Sequence, residues 1–104
     1  MIKVTVLYPA TDGARFDHAY YRDSHLPMIQ ARLGAACLGY EIDEGIAGDA
    51  PGNAAPFVAL CHIFSDSLES FQAAFAPHAE EIVGDVAHYT SIAPVMQFSK
   101  VVVR

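Results

Sequence analysis

The sequence predicts an α+β fold: one four-stranded antiparallel sheet with two helices on one of its faces. Three observations lead there. Strand-like and helix-like segments follow one another in the order βαββαβ. Gly, Pro and capping residues separate them. The length, 104 residues, is that of one domain, taken as residues 1–104. Right-handed crossovers then place both helices on the same side of the sheet.

Ile2 to Tyr8 alternates and is β-branched, so it reads as the first strand. Pro9 to Gly13 is a loop, and Asp17 is the N-cap of the first helix. Pro27 has no amide proton and biases Leu26 away from helical geometry, so this helix should end or kink sharply at Ser24 to Leu26. Pro27 should restart a segment that runs to Leu33 and closes at Gly34. Ala36 to Asp43 alternates as the second strand, and Gly45 to Pro56 is a loop. Phe57 to Ser65 is the third strand, apolar on both faces. Asp66 to Glu69 looks like a capping box with Asp66 as the cap, followed by Leu68, Phe71 and Phe75 at helical spacing. Pro77 interrupts this helix, a short piece continues to about Val83, and Gly84 closes it. The last strand is Val95 to Val103.

Composition narrows the function classes. Hydrophobic residues make up 53% and charged residues 17%, against about 25% charged in typical domains. The first, third and last strands carry apolar residues on both faces, yet the helices cover only one. A homodimer packed sheet to sheet would bury the other. The net charge is −6, and the six basic residues are scattered, which argues against nucleic acid as a partner. No run has membrane-spanning length and the N-terminus lacks signal-peptide character, so no membrane and a cytoplasmic location are expected. Cys37 and Cys61 fall in separate predicted strands and are expected to be reduced, and the Cys and His spacing does not suggest a metal site. Neither G-x-G-x-x-G nor G-x-x-x-x-G-K-[ST] occurs, so no nucleotide cofactor is expected. The absence of G-x-S-x-G gives no support to a hydrolase.

Two stretches carry a family likeness. FDHAYYRDSHLP, Phe16 to Pro27, is similar to a Phe-Asp…Tyr-Tyr…His-x-Pro segment, and DVAHYTSIAPVMQFSKV, Asp85 to Val101, to an Asp-Val…Tyr-Thr…Pro…Gln segment. Both segments resemble those of the EthD family, named for ethyl tert-butyl ether degradation, within the dimeric α/β-barrel superfamily. The resemblance implies a ferredoxin-like protomer, a barrel formed by two sheets meeting across a dimer, and clefts between sheet and helices. It also brings an oxidoreductase label whose activity is poorly defined. Related superfamily members include cofactor-free monooxygenases, polyketide cyclases and haem-degrading enzymes. Gly45 to Pro56 matches no family signature.

His25 is the first candidate for acid–base chemistry, since an imidazole titrates near neutrality. At a helix C-terminus the dipole would favour its protonated form and burial would oppose it. The competing reading is a cap on the broken turn. Tyr21 lies four residues before His25, on the same helix face, as second catalytic candidate or as a packed aromatic. Tyr89, His62 and Tyr20 are candidate substrate-binding residues. Core packing against Phe16 competes for Tyr20, and a satisfied core position for His62. Asp85 is read as fixing a turn. The functional expectation is an EthD-like catabolic enzyme for a small apolar compound. A dimeric ligand-binding or accessory protein is the rival, a cofactor-free monooxygenase or polyketide-cyclase-like enzyme a second alternative, and haem held by His25 or His62 a further possibility.

Overall fold

The computed structural model describes all 104 residues. Strand β1 (Ile2–Pro9) leads into a helical run of α1 (His18–Tyr20), one π-helical turn (Tyr21–His25) and α2 (Leu26–Leu33), closed by a 3-10 turn. Strands β2 (Gly39–Glu44) and β3 (Phe57–Ser65) follow. The second helical run is α3 (Leu68–Phe75), a 3-10 turn at Ala76–His78, α4 (Ala79–Asp85) and a 3-10 turn at Val86–His88. Strand β4 (Val95–Lys100) completes a sheet of order β2-β3-β1-β4 with every neighbouring pair antiparallel. This is the ferredoxin-like α+β arrangement expected from the element order.

The register sorts side chains onto two faces. Val4 pairs with Ile63, Val6 with Cys61 and Tyr8 with Ala59. Antiparallel partners share a face, and these residues meet Leu26, Ile29, Leu33, Phe71 and Ile82 in the core. Leu26, Ile29 and Leu33 recur at helical spacing and are all buried. Each such side chain contributes about 1.5–3 kcal/mol on leaving water.

Pro27 does not end the helix. Leu26 keeps helical dihedrals, φ −66° and ψ −41°, and its N–H bonds the carbonyl of Tyr21, five residues back. The wider π turn takes up one extra residue before the proline. Pro27 then falls in the first regular turn of α2, a position that proline favours. Gly34 does terminate α2, with φ +57°. The second helix is capped by Ser67, not Asp66: the Ser67 Oγ accepts from the Ser70 N–H at 3.1 Å. Strand β2 begins three residues later than expected, which leaves Cys37 outside it, and β4 stops at Lys100.

The face without helices is less apolar than the sequence suggested. Leu7, Val58, Leu60, Phe64 and Val95 alternate there with Lys3, Thr5, His62, Gln97 and Ser99. Glu41 and Asp43 of β2 share it.

Candidate active site

A cavity of about 430 Å³ lies between the helix-facing side of the sheet and the two helical runs. Of its 20 lining residues, 16 are hydrophobic, so polar chemistry rests on a few groups. No Lys, Arg, Asp or Glu lines it; its titratable side chains are Tyr8, Tyr21, His25 and Cys61.

Two connections fold together to build the polar side of this cavity. The Asp17 N–H donates to the Tyr89 carbonyl at 2.7 Å, Thr90 Oγ1 donates to the Arg15 carbonyl at 2.6 Å, and Phe16 and Thr90 form an isolated bridge. The Arg15 guanidinium donates to the Ala87 carbonyl at 2.9 Å. The segment before α1 is thereby fastened to the segment after α4. Asp17 also caps α1, accepting from the Tyr20 N–H at 3.0 Å. As a result His25, on the π turn, faces Asp85, the last residue of α4.

His25 is only 3% exposed, and its Nδ1 lies 2.8 Å from Asp85 Oδ2. A carboxylate can only accept, so Nδ1 carries the proton and neutral His25 has its lone pair on Nε2. Nε2 has no hydrogen-bond partner within the chain, and the ring lines the cavity. Burial lowers the His25 pKa below the usual imidazole value, while Asp85 pulls it upward. The helix-end argument for a raised value fails because the helix continues past His25. Burial would raise the pKa of Asp85, but hydrogen bonds from His25, His88 and Tyr20 outweigh it and hold the carboxyl at about 2. The pair is thus an anion behind a neutral imidazole.

The other candidates separate. Tyr21 lines the cavity and stacks on His25, ring centroids 5.6 Å apart at 17°. Burial raises its phenol pKa far above the ordinary value, with Cys61 and Tyr8 adding to the effect. Tyr21 therefore stays protonated, able to donate a hydrogen bond but not to act as a base. Tyr89 is fully buried behind this pair, its ring 4.6 Å from that of His25, and its hydroxyl is engaged by Tyr8 at 2.6 Å. Tyr20 packs against Tyr89 rather than Phe16 and is not among the cavity residues; its hydroxyl donates to Asp85 Oδ1 at 2.8 Å. His62 points to the opposite face, bonded to Thr5 Oγ1 at 3.0 Å and to Asp43 at 3.1 Å.

Sequence reasoning missed Asp85, Tyr8 and Cys61. Asp85 stands 60 residues from His25, and no spacing rule joins them. The one signal was its place at the head of the second family-like stretch. Tyr8 and Cys61 read as ordinary strand positions, although strand alternation does put them on the helix face. Burial raises the pKa of the Cys61 thiol to about 11, which leaves it unreactive.

A family model described as EthD domain matches residues 9–93. The chain belongs to the EthD family. The crystal structure of an EthD-like protein from Ralstonia eutropha JMP134 superposes with a TM-score of 0.96 at 57% identity, covering 99% of this chain and 93% of that one. An ethyl tert-butyl ether degradation (EthD) family protein from Bacillus halodurans C-125 gives a TM-score of 0.72 at 18% identity, covering 96% and 97%; at that identity the likeness is one of fold. No curated protein matches the sequence. The EthD match includes His25, Asp85 and Tyr89 but stops before β4.

Proposed function

We propose that this EthD chain, residues 1–104 acting as one unit, is an acid–base enzyme for a small, apolar, uncharged organic compound. The observation that carries it is the His25–Asp85 pair at 2.8 Å, set with the other imidazole nitrogen free on an apolar cavity. His25 Nε2 takes a proton from a weakly acidic O–H or C–H of the bound compound. The imidazolium so formed is stabilised by the Asp85 carboxylate, while the buried Tyr21 phenol donates to developing negative charge. The anion left behind can rearrange and take the proton back from the His25 imidazolium at another atom, or can pass electrons to an external oxidant such as dioxygen, the oxidative step the family label suggests. His25 and Tyr21 are the residues of the chemistry. Tyr89, Tyr20 and His62 are not given substrate contact in this reading.

The charge of the cavity sets the ligand class. Every titratable group lining it is neutral near pH 7, and the nearest charge is an anion. A carboxylate or phosphate ligand would lose its hydration and meet no cation. The homodimer remains part of the proposal: Leu7, Val58 and Leu60 on the open face are only half-covered, and a second copy packed sheet to sheet would bury them. No helix is long and apolar enough to cross a membrane, which suits the proposed cytoplasmic setting.

Thermal unfolding with naphthalene, 2-naphthol and 2-naphthoate tests the site. A ligand that binds only the native state raises the melting temperature. We expect 2-naphthol to stabilise more than naphthalene, and naphthoate to have no effect. His25→Ala should keep the naphthalene shift and lose the extra stabilisation by naphthol. Equal shifts in both proteins would remove His25 from the site. Tight binding of many apolar compounds, with no conversion of any, would favour the non-enzymatic carrier.

A further inference from the structure

We propose that Tyr20 and His88 are positioning residues: they clamp Asp85 by one carboxylate oxygen and thereby lock His25 in the tautomer that turns a bare Nε2 to the cavity. The proposal rests on the His25 reading above and adds the parts that hold its geometry.

Asp85 is the last residue of α4, and its carboxylate turns about a torsion with broad, shallow wells. A single bond to His25 would leave that carboxylate free to swing toward solvent. The structure divides its two oxygens between different tasks. Oδ2 takes the His25 Nδ1–H at 2.8 Å. Oδ1 takes the Tyr20 O–H at 2.8 Å and the His88 Nδ1–H at 2.8 Å. The two clamping donors come from different elements, Tyr20 from α1 and His88 from the 3-10 turn after α4. Those elements are held together by the bonds between Asp17, Tyr89, Arg15 and Thr90.

A fixed carboxylate selects a tautomer. With the proton moved to Nε2, the Nδ1 lone pair would face an anion at hydrogen-bond distance, and Nε2 could no longer act as a base. The arrangement also explains the placing of Tyr20. Its hydroxyl is spent on Asp85, one layer behind the cavity, so its role runs through Asp85 and His25 rather than through a ligand. Side-chain exposure rises from 4% at His25 through 16% at Asp85 to 66% at His88. His88 is therefore reachable by mutation without opening the core, and Tyr20→Phe removes the hydroxyl while keeping the ring that packs on Tyr89.

Long-range ¹⁵N NMR of the imidazole rings, on the full chain at about pH 8 where ordinary histidines are neutral, reads the tautomer directly. Wild type should show His25 in the Nδ1–H form with a downfield, hydrogen-bonded ring proton. Tyr20→Phe with His88→Ala should lose that proton signal to exchange and show a mixture of tautomers. His88→Gln, whose amide can donate in place of the ring, should retain the wild-type pattern. A folded double variant with unchanged tautomer and unchanged ring proton overturns the clamp. Should the double variant not fold, the two single variants decide. Each should show some of the second tautomer, and none in either overturns the proposal. These spectra need no ligand, so the clamp can fail while the naphthol result still supports His25, and the reverse.

Discussion

His25 couples two opposing demands: it is buried, which disfavours its charge, and it is paired with an anion that favours it. Burial prevails, so the folded protein binds this proton more weakly than the unfolded chain does. A lowered folded pKa means stability that is complete above the unfolded value, about 6.5, and is lost as the pH falls below it. Asp85 adds a second loss of the same sign, beginning near its ordinary 3.8 and continuing toward about 2. Chemical denaturation of wild type should therefore show stability declining from pH 7 to pH 5 and again below pH 4. In His25→Gln the upper part of that decline should flatten, and an unchanged slope between pH 7 and 5 would contradict the buried-neutral assignment. Asp85→Asn should flatten the lower part.

Within the helical run, the π turn reconciles a proline with a continuous helix. Its extra residue lets Leu26 bond back to Tyr21, so that Pro27 enters at the start of a regular helix rather than in the interior of one. The same turn sets Tyr21 and His25 side by side on the cavity. Deleting Ser24, which is exposed, removes the surplus residue and forces a regular helix into Pro27. That should cost about 3 kcal/mol or more in the wild-type background and clearly less with Pro27→Ala, measured by urea unfolding. Equal costs in the two backgrounds would mean the proline does not dictate the turn. At the second helix, Ser67→Ala should lose about 1 kcal/mol, while Asp66→Ala should change little, because only Ser67 reaches a free amide of the first turn.

Across the whole molecule, the two faces of the sheet differ in character. The helix side carries the core and the cavity; the open side carries a mixed surface with Leu60 in the central part of the sheet. A dimer built on that open side predicts that Leu60→Glu, which places a charge against apolar neighbours, yields a monomer in sedimentation while the protomer stays folded. A variant that sediments like wild type, whatever that mass proves to be, would move any interface off this face. The cavity predicts the opposite behaviour for Ile29→Ala, which deletes part of a buried cavity wall. It should lose about 2–5 kcal/mol of stability with no change in assembly.

The sequence by itself determined the order of elements, the sheet they form and the stretch that carries the imidazole. These follow from local pattern: strand alternation, the Asp17 cap, Gly34, and the family-like segments around His25 and Asp85. Local rules also reached too far. They expected the helix to end or kink sharply at Ser24 to Leu26, because they price a lost hydrogen bond without the option of a wider turn, although they placed the segment up to Leu33 correctly. They also placed the cap at Asp66, where two adjacent capping residues are indistinguishable until the backbone chooses. Tertiary structure alone decided the site. Strand register put Tyr8 and Cys61 on the cavity side and His62 on the other. Packing of the two helical runs brought Asp85 to His25 across 60 residues. Such pairing depends on chain closure between distant segments, and neither composition nor spacing in a single sequence encodes which distant carboxylate an imidazole will meet.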